Sequence, residues 1–490
     1  MERELYRDDS AALHTDRYQL SMGEVYWADN VHNRRAVFEV YFRKMPFGNG
    51  YAIFAGLERV VRYLQNFRFS DTDLAYLREQ GFDGDYLDFL RDLRFTGTLR
   101  SMREGEVVFA NEPIMRIEAP LIQCQLIETA ILNIVNYQTL IATKASRIKQ
   151  IIGDDDALEF GSRRAHEMDA AVWGARAAYI GGFAGTSNVR AGKMFGIPIV
   201  GTHAHAMVQA YGDEYTAFKK YASRHRHCVF LVDTYDTLRS GVPNAIRVAR
   251  EFGDRIHFVG IRLDSGDLAY LSKKAREMLD KAGFPDAKIV ASSDLDEHTI
   301  LNLKAQGARI DVWGIGTRLI TAYDQPALGV VYKMAAIEDE NGTLQDTIKI
   351  SSNPEKISTP GLKRVWRIVN RRTGKAEGDY IALEHEDPRR EERLKMFHPV
   401  HTHLMKYVTN FEARELHHTV FEDGRLVCEL PKLEDIRRFA RDNLDLLWDE
   451  YKRTMNPPEY PVDLSQACWD NRMAIIRRIR EAIEAKAEEI

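Results

Sequence analysis

Between residue 157 and about residue 335 the apolar positions gather into short blocks, near 158–161, 197–201, 228–232, 256–263, 288–292, 309–313 and 328–332. Most stretches between them follow a helical period. In 267–282, Leu268, Leu271, Ala275, Met278 and Leu279 form one stripe, and Gly283 ends it. Blocks and stripes alternating at this spacing predict a parallel sheet with helices laid on it. The number of blocks favours an irregular α/β barrel.

The flanks are patterned differently. Residues 13–26, LHTDRYQLSMGEVY, predict a helix capped by Thr15 or Asp16, with Tyr18, Met22 and Tyr26 at helical spacing. The run 36–56 begins with strand alternation and breaks at Pro46-Phe47-Gly48-Asn49-Gly50. Helices are expected near 56–66, 71–80 and 84–93, then short strands from Phe95 to Gln123. A long apolar-striped helix over 126–152 leads into the barrel. After 340 come a basic loop broken by Ser and Pro, short β patterns, and a charged amphipathic helix from Trp469. The expected fold is α/β: an α+β N-terminal domain over 1–125, an irregular α/β barrel carrying the active site over 126–340, and an α/β C-terminal extension over 341–490 that packs on both.

Composition narrows the function. At 490 residues the chain exceeds one ordinary domain. A formal net charge of -5 excludes a general nucleic-acid or membrane-surface binder, so any site for a polyanion must be local. Cys124, Cys228, Cys428 and Cys468 form no CxxC pair, which fits a reducing compartment and excludes a zinc ribbon. The first residues are too charged for a signal peptide, and no apolar run approaches about 18 residues. The expectation is a cytoplasmic protein that takes neither nucleic acid nor membrane as partner.

The candidate chemistry sits where the blocks end. Leu158–Gly161 runs into Ser162, Arg163 and Arg164, and Ile197–Gly201 runs into Thr202, His203, Ala204 and His205. A Gly-rich turn, 181–187, lies between them. LVDTYDT and GIRLDSGDLAY put Asp233, and Arg262 with Asp264, at later block ends, where side chains face the mouth of a barrel. Asp267 reads as a helix cap. In WGIGTRL, Gly314, Gly316 and Thr317 allow backbone N–H groups to approach a phosphate. SSDLDE resembles a capping box between Asp294 and Glu297, with Ser293 and Asp294 on the same rim. Arginines, histidines and close-approach glycines together point to an anionic, phosphorylated substrate. The alternative is a metal-dependent barrel hydrolase, because His203 and His205 have the H-x-H spacing of a metal pair. The neighbouring arginine opposes a dication. His225 and His227 read as an exposed basic helix end.

The motifs TDRYQLSM, YFRKMPF, EFGSRRAHE, GFAGTSNV, GTHAHAMVQ, LVDTYDT, IRLDSGDL and WGIGTRL, in this order, resemble the nicotinate phosphoribosyltransferases, a family of type II phosphoribosyltransferases. The resemblance spans roughly 13–370. It implies synthesis of nicotinate mononucleotide and pyrophosphate from nicotinate and phosphoribosyl pyrophosphate (PRPP) in NAD salvage. ATP is the implied co-substrate, Mg2+ the implied ion, and the implied assembly is a homodimer with shared active sites. By resemblance, Phe160 stacks on the pyridine ring and Tyr18 of the partner subunit covers its other face. Arg163 and Arg262 hold carboxylate or phosphate, and Ser187 donates to the substrate's carboxylate. His205 is the histidine that ATP phosphorylates, Asp233 orients it, and Asp264 meets the ribose hydroxyls or Mg2+. Gly314, Gly316 and Thr317 hold the 5′-phosphate, with Ser293 or Asp294 beside them.

Overall fold

The computed structural model describes residues 11–353 and 357–488. It divides into two units, residues 141–326 and residues 1–140 with 327–490. The long helix Glu128–Ile152 runs across the division. Among the described residues no helix is long and apolar enough to cross a membrane.

The unit 141–326 is built on a curled six-stranded parallel sheet. Its strands lie in the order Gly185–Thr186, Asp156–Glu159, Val312–Ile315, Lys288–Ser293, His257–Leu263 and His227–Leu231. Every pairing is parallel, so all six chains leave the sheet at one end. Helices fill the crossovers. Leu268–Lys281 begins at Asp267, whose carboxylate accepts from Tyr270 N–H at 2.9 Å, and buries Leu268, Ala275 and Leu279 as its stripe requires. Glu297–Ala305 is capped by Asp296, which accepts from Thr299 N–H. The expected box between Asp294 and Glu297 is therefore shifted, and Glu297 is buried against Lys144 and Arg147 instead.

Two of the seven apolar blocks behave otherwise. The block 197–201 makes a single bridge, Ile199 to Thr186, because Pro198 lacks an N–H and Ile199 stays exposed. The gap between this segment and the edge strand His227–Leu231 is spanned by a side chain: Leu231 N–H donates to His203 Nε2 at 3.2 Å. The block at 328–332 leaves the parallel sheet altogether. As Val330–Glu338 it pairs antiparallel with Arg35–Phe42, and Tyr332 stacks on Phe38 with centroids 4.6 Å apart.

The second unit combines both ends of the chain. One sheet runs Leu344–Asp346, Val330–Glu338, Arg35–Phe42, Met115–Pro120, Thr98–Ser101, His418–Glu422, Arg425–Leu426. A second sheet, of six strands, uses only residues 363–464. Arg367 joins the two ends. Fully buried, it forks onto Asp379 at 2.9 and 2.7 Å and reaches Glu106 at 2.7 Å and Val107 O at 2.7 Å. Such a buried network is costly to break from one side, so the last 120 or so residues are locked to the N-terminal segment.

Candidate active site

The shared strand direction places the ends of six strands along one rim. Phe160 follows Asp156–Glu159, and Ser187 follows Gly185–Thr186. Asp233 and Thr234 follow His227–Leu231, Asp264 follows His257–Leu263, and Gly316 follows Val312–Ile315. Ser292 and Ser293 close Lys288–Ser293.

The centre is Arg262. Its Nε donates to Ser292 Oγ at 2.7 Å, one terminal nitrogen to Thr202 Oγ1 at 3.1 Å, and the other to Asp264 Oδ1 at 2.7 Å. Ser292 Oγ in turn donates to Asp264. Burial pushes the Asp264 carboxyl up, but the Ser292 hydroxyl and the Arg262 guanidinium outweigh it and hold Asp264 below the usual carboxylate range. Asp264 is thus a fixed anion beside a fixed cation.

His205 opens the helix His205–Tyr211. Its Nδ1 lies 3.0 Å from Thr234 Oγ1, and its Nε2 lies 4.0 Å from Asp264 Oδ2. The group on the ring is thus Thr234. Asp233, expected to orient the imidazole, accepts instead from Asp264 N–H at 2.9 Å and Ser265 Oγ at 2.6 Å. Its Oδ1 is buried without a hydrogen-bond partner.

The Arg262 guanidinium also lies 5.6 Å from the centroid of the Phe160 ring. Gly314 makes room for that ring: a Cβ there would sit 2.7 Å from Phe160 Cδ2 and Cε2. Gly314 therefore seats the aromatic side chain, and Gly316 with Thr317 begins the short helix Thr317–Ile320. Ser187 N–H donates to Glu159 O at 2.9 Å. The cap of the next helix, Val189–Phe195, is Asn188, which accepts from Ala191 N–H. Ser187 is left with a half-buried hydroxyl that caps nothing.

Other expected residues form no hydrogen bond with Arg262 or His205. Arg163, Ser293 and Asp294 are exposed, and Tyr18 belongs to the other unit and is 51% exposed. Thr234, Ser292 and Glu159 were not foreseen, and Thr202 was noted only within the polar run after 197–201. The first three are small polar or acidic residues next to foreseen ones, at or just beyond strand ends, and that position is the signal that marks them.

The H-x-H pair does not converge on one ion. His203 is buried against Phe218, Tyr221 and Phe230, with its Nε2 occupied by Leu231 N–H. Among the described residues no group of three or more His, Cys, Asp or Glu is placed to hold a metal. His225 and His227 are exposed. Burial pushes the His203 pKa down to about 4. Its unfolded value is about 6.5, so between these limits the unfolded chain takes a proton that the folded ring refuses. The contribution is complete above pH 6.5 and falls with acid, by about 1.4 kcal/mol per pH unit. Thermal unfolding from pH 7 to 5 should therefore cost wild type more than His203→Gln, which keeps an acceptor for Leu231. Equal losses would mean that His203 titrates normally.

Comparison with known proteins gives the family. The chain matches the nicotinate phosphoribosyltransferase N-terminal domain over residues 13–136, the family itself over 156–363, and its C-terminal domain over 362–472. It is 67% identical to a nicotinate phosphoribosyltransferase of Bacillus subtilis, over 99% of both chains. With the enzyme of that name from Dictyostelium discoideum it shares 38% identity, covering 94% of this chain and 87% of the other. The crystal structure of human nicotinic acid phosphoribosyltransferase superposes with a TM-score of 0.83 at 28% identity, covering 94% of this chain and 99% of that one. With matches along nearly its whole length, this chain belongs to the nicotinate phosphoribosyltransferase family.

Proposed function

We propose that the chain joins nicotinate to PRPP, giving nicotinate mononucleotide and pyrophosphate with ATP hydrolysed alongside, and that the rim around Arg262 is where this happens. The observation that carries the reading is the joint placement of Phe160, Arg262, Asp264 and His205 at one sheet end. Breaking the anomeric C–O bond of PRPP builds positive charge on the ribose and negative charge on the pyrophosphate. Asp264, held ionised, answers the first, and Arg262 the negative charge of phosphate or carboxylate. Phe160 aligns the pyridine, whose ring nitrogen attacks the anomeric carbon from the face opposite the leaving group. The bond forms with the nitrogen's own lone pair, so no general base is needed. Gly314, Gly316 and Thr317 line the side where the 5′-phosphate would lie, with Ser293 or Asp294 near it, and Arg163 is assigned to the substrate's carboxylate or phosphate.

His205 is the group for ATP. With Nδ1 turned to Thr234, Nε2 is the nitrogen free to attack the γ-phosphorus, releasing ADP; water later removes the phosphoryl group. Asp264 Oδ2 lies 4.0 Å from that nitrogen and Asp233 Oδ1 is buried without a partner, so these two carboxylates would hold Mg2+, which needs one or two carboxylates alongside substrate phosphates. There Mg2+ would neutralise phosphate charge.

The enzyme is further proposed to be a homodimer in which Tyr18 of one subunit covers the pyridine held by the other. One assay tests the whole reading: nicotinate mononucleotide formed from nicotinate, PRPP and ATP. Tyr18→Ala and His205→Ala subunits, each nearly inactive, should recover about a quarter of wild-type activity when mixed, since half the dimers would carry one intact site of two. No product from wild type sinks the reaction. No recovery in demonstrated heterodimers sinks the shared site alone.

A further inference from the structure

We propose that Glu159 is the positioning residue for choice of substrate, one buried carboxylate that fixes both the turn leading to Arg163 and the turn carrying Ser187. The inference rests on the reading that these two residues meet the pyridine acid's carboxylate. Glu159 is the last residue of its strand and is fully buried. Its Oε1 accepts from Gly161 N–H, and its Oε2 accepts from Thr186 Oγ1 at 2.5 Å. Thr186 Oγ1 accepts from Asn188 N–H at 2.9 Å, and Ser187 N–H donates to the main-chain oxygen of Glu159, also at 2.9 Å. Ser187 is therefore bracketed: its own N–H and the groups on both sides lead back to Glu159.

The other turn is held as tightly. A Cβ on Gly161 would lie 2.8 Å from Glu159 Oε1 and 2.6 Å from Ile320 Cβ, so only glycine lets the backbone close on the carboxylate. Among the described residues no Lys, Arg or His pairs with Glu159. Burial pushes its pKa up, and only the Thr186 hydroxyl and Gly161 N–H oppose this. An apolar residue would pack here without that penalty, but it would leave both donors unpaired. A carboxylate kept at such cost, with its acceptors spent on two site turns, serves to hold those turns in register.

Thr186→Val removes the hydroxyl at nearly constant volume, Thr186→Ser restores it, and Glu159→Gln keeps one acceptor of two. Thr186→Val and Glu159→Gln should each raise KM for nicotinate about ten-fold, the loss of one charged hydrogen bond, with KM for PRPP unchanged. Thr186→Ser should stay near wild type. Should Glu159→Gln fail to fold, Thr186→Val carries the test. A parallel rise in both KM values, or a fall in melting temperature alone, would make Glu159 a fold residue and overturn the proposal. Arg163→Ala and Ser187→Ala separate the two ideas. If these leave KM for nicotinate unchanged, the carboxylate reading fails and the inference with it. If they raise it while Thr186→Val does not, the inference alone fails.

Discussion

Ser187→Asp should cost the enzyme its acid substrate while sparing the corresponding amide. The hydroxyl of Ser187 can donate to the carboxylate of nicotinate, whereas an aspartate would set two like charges together in a partly desolvated pocket. Misplaced charge of this kind costs on the order of 2–5 kcal/mol, or roughly 30- to 5000-fold in affinity. The competing explanation, that Ser187 merely caps the following helix, is removed by the structure, in which Asn188 is the cap. In kcat/KM the variant should lose steeply with nicotinate and gain, or at least not lose in step, with nicotinamide. Equal losses on the two would show that Ser187 only supports its turn.

Arg262 should prove equally sensitive. Its three hydrogen-bond partners use the fork of the guanidinium, whose carbon lies 5.6 Å from the Phe160 ring centroid. Arg262→Ala leaves the half-buried Asp264 without its guanidinium partner, a change expected to cost about 2–5 kcal/mol, or some 30- to 5000-fold in kcat/KM. Arg262→Lys keeps the charge but cannot reach Ser292, Thr202 and Asp264 together, so it should fall nearly as far. The pH profile gives a second readout. Without the guanidinium the Asp264 pKa rises, and the acid limb of kcat/KM should move to higher pH. A lysine enzyme within a few-fold of wild type would mean that only the charge at 262 matters.

The periodicities carried most of the parallel sheet, because strands such as His227–Leu231 and Lys288–Ser293 are short apolar runs and helices such as Leu268–Lys281 keep their own stripe and cap, whereas the two-residue strand Gly185–Thr186 has no apolar run to mark it. They failed where pairing is decided at long range. Nothing local in VVYKMAA tells that this strand turns to Arg35–Phe42, and Pro198 reduces 197–201 to one bridge. The site was legible at strand ends, where Asp233, Arg262 and Asp264 interrupt apolar runs. Its supporting groups were less so. Thr202, Thr234 and Ser292 are common polar residues that gain meaning only when folding brings two strand ends and the segment after 197–201 around one guanidinium and one imidazole. Glu159 was hidden for a different reason: nothing in EFGSRR says that its carboxylate is buried. One tie between the last 120 or so residues and the N-terminal segment runs through Arg367, whose partners Asp379 and Glu106 lie 12 and 261 positions away.

In the proposed reaction His205 couples ATP to the glycosyl transfer at the Arg262 rim, and incubation with γ-labelled ATP tests this coupling. Wild type should take up label that is lost in acid and retained in base, as a phosphohistidine is, and nicotinate with PRPP should discharge it. His205→Ala should take up none. Equal labelling of His205→Ala would place the phosphoryl group elsewhere and remove His205 from the coupling.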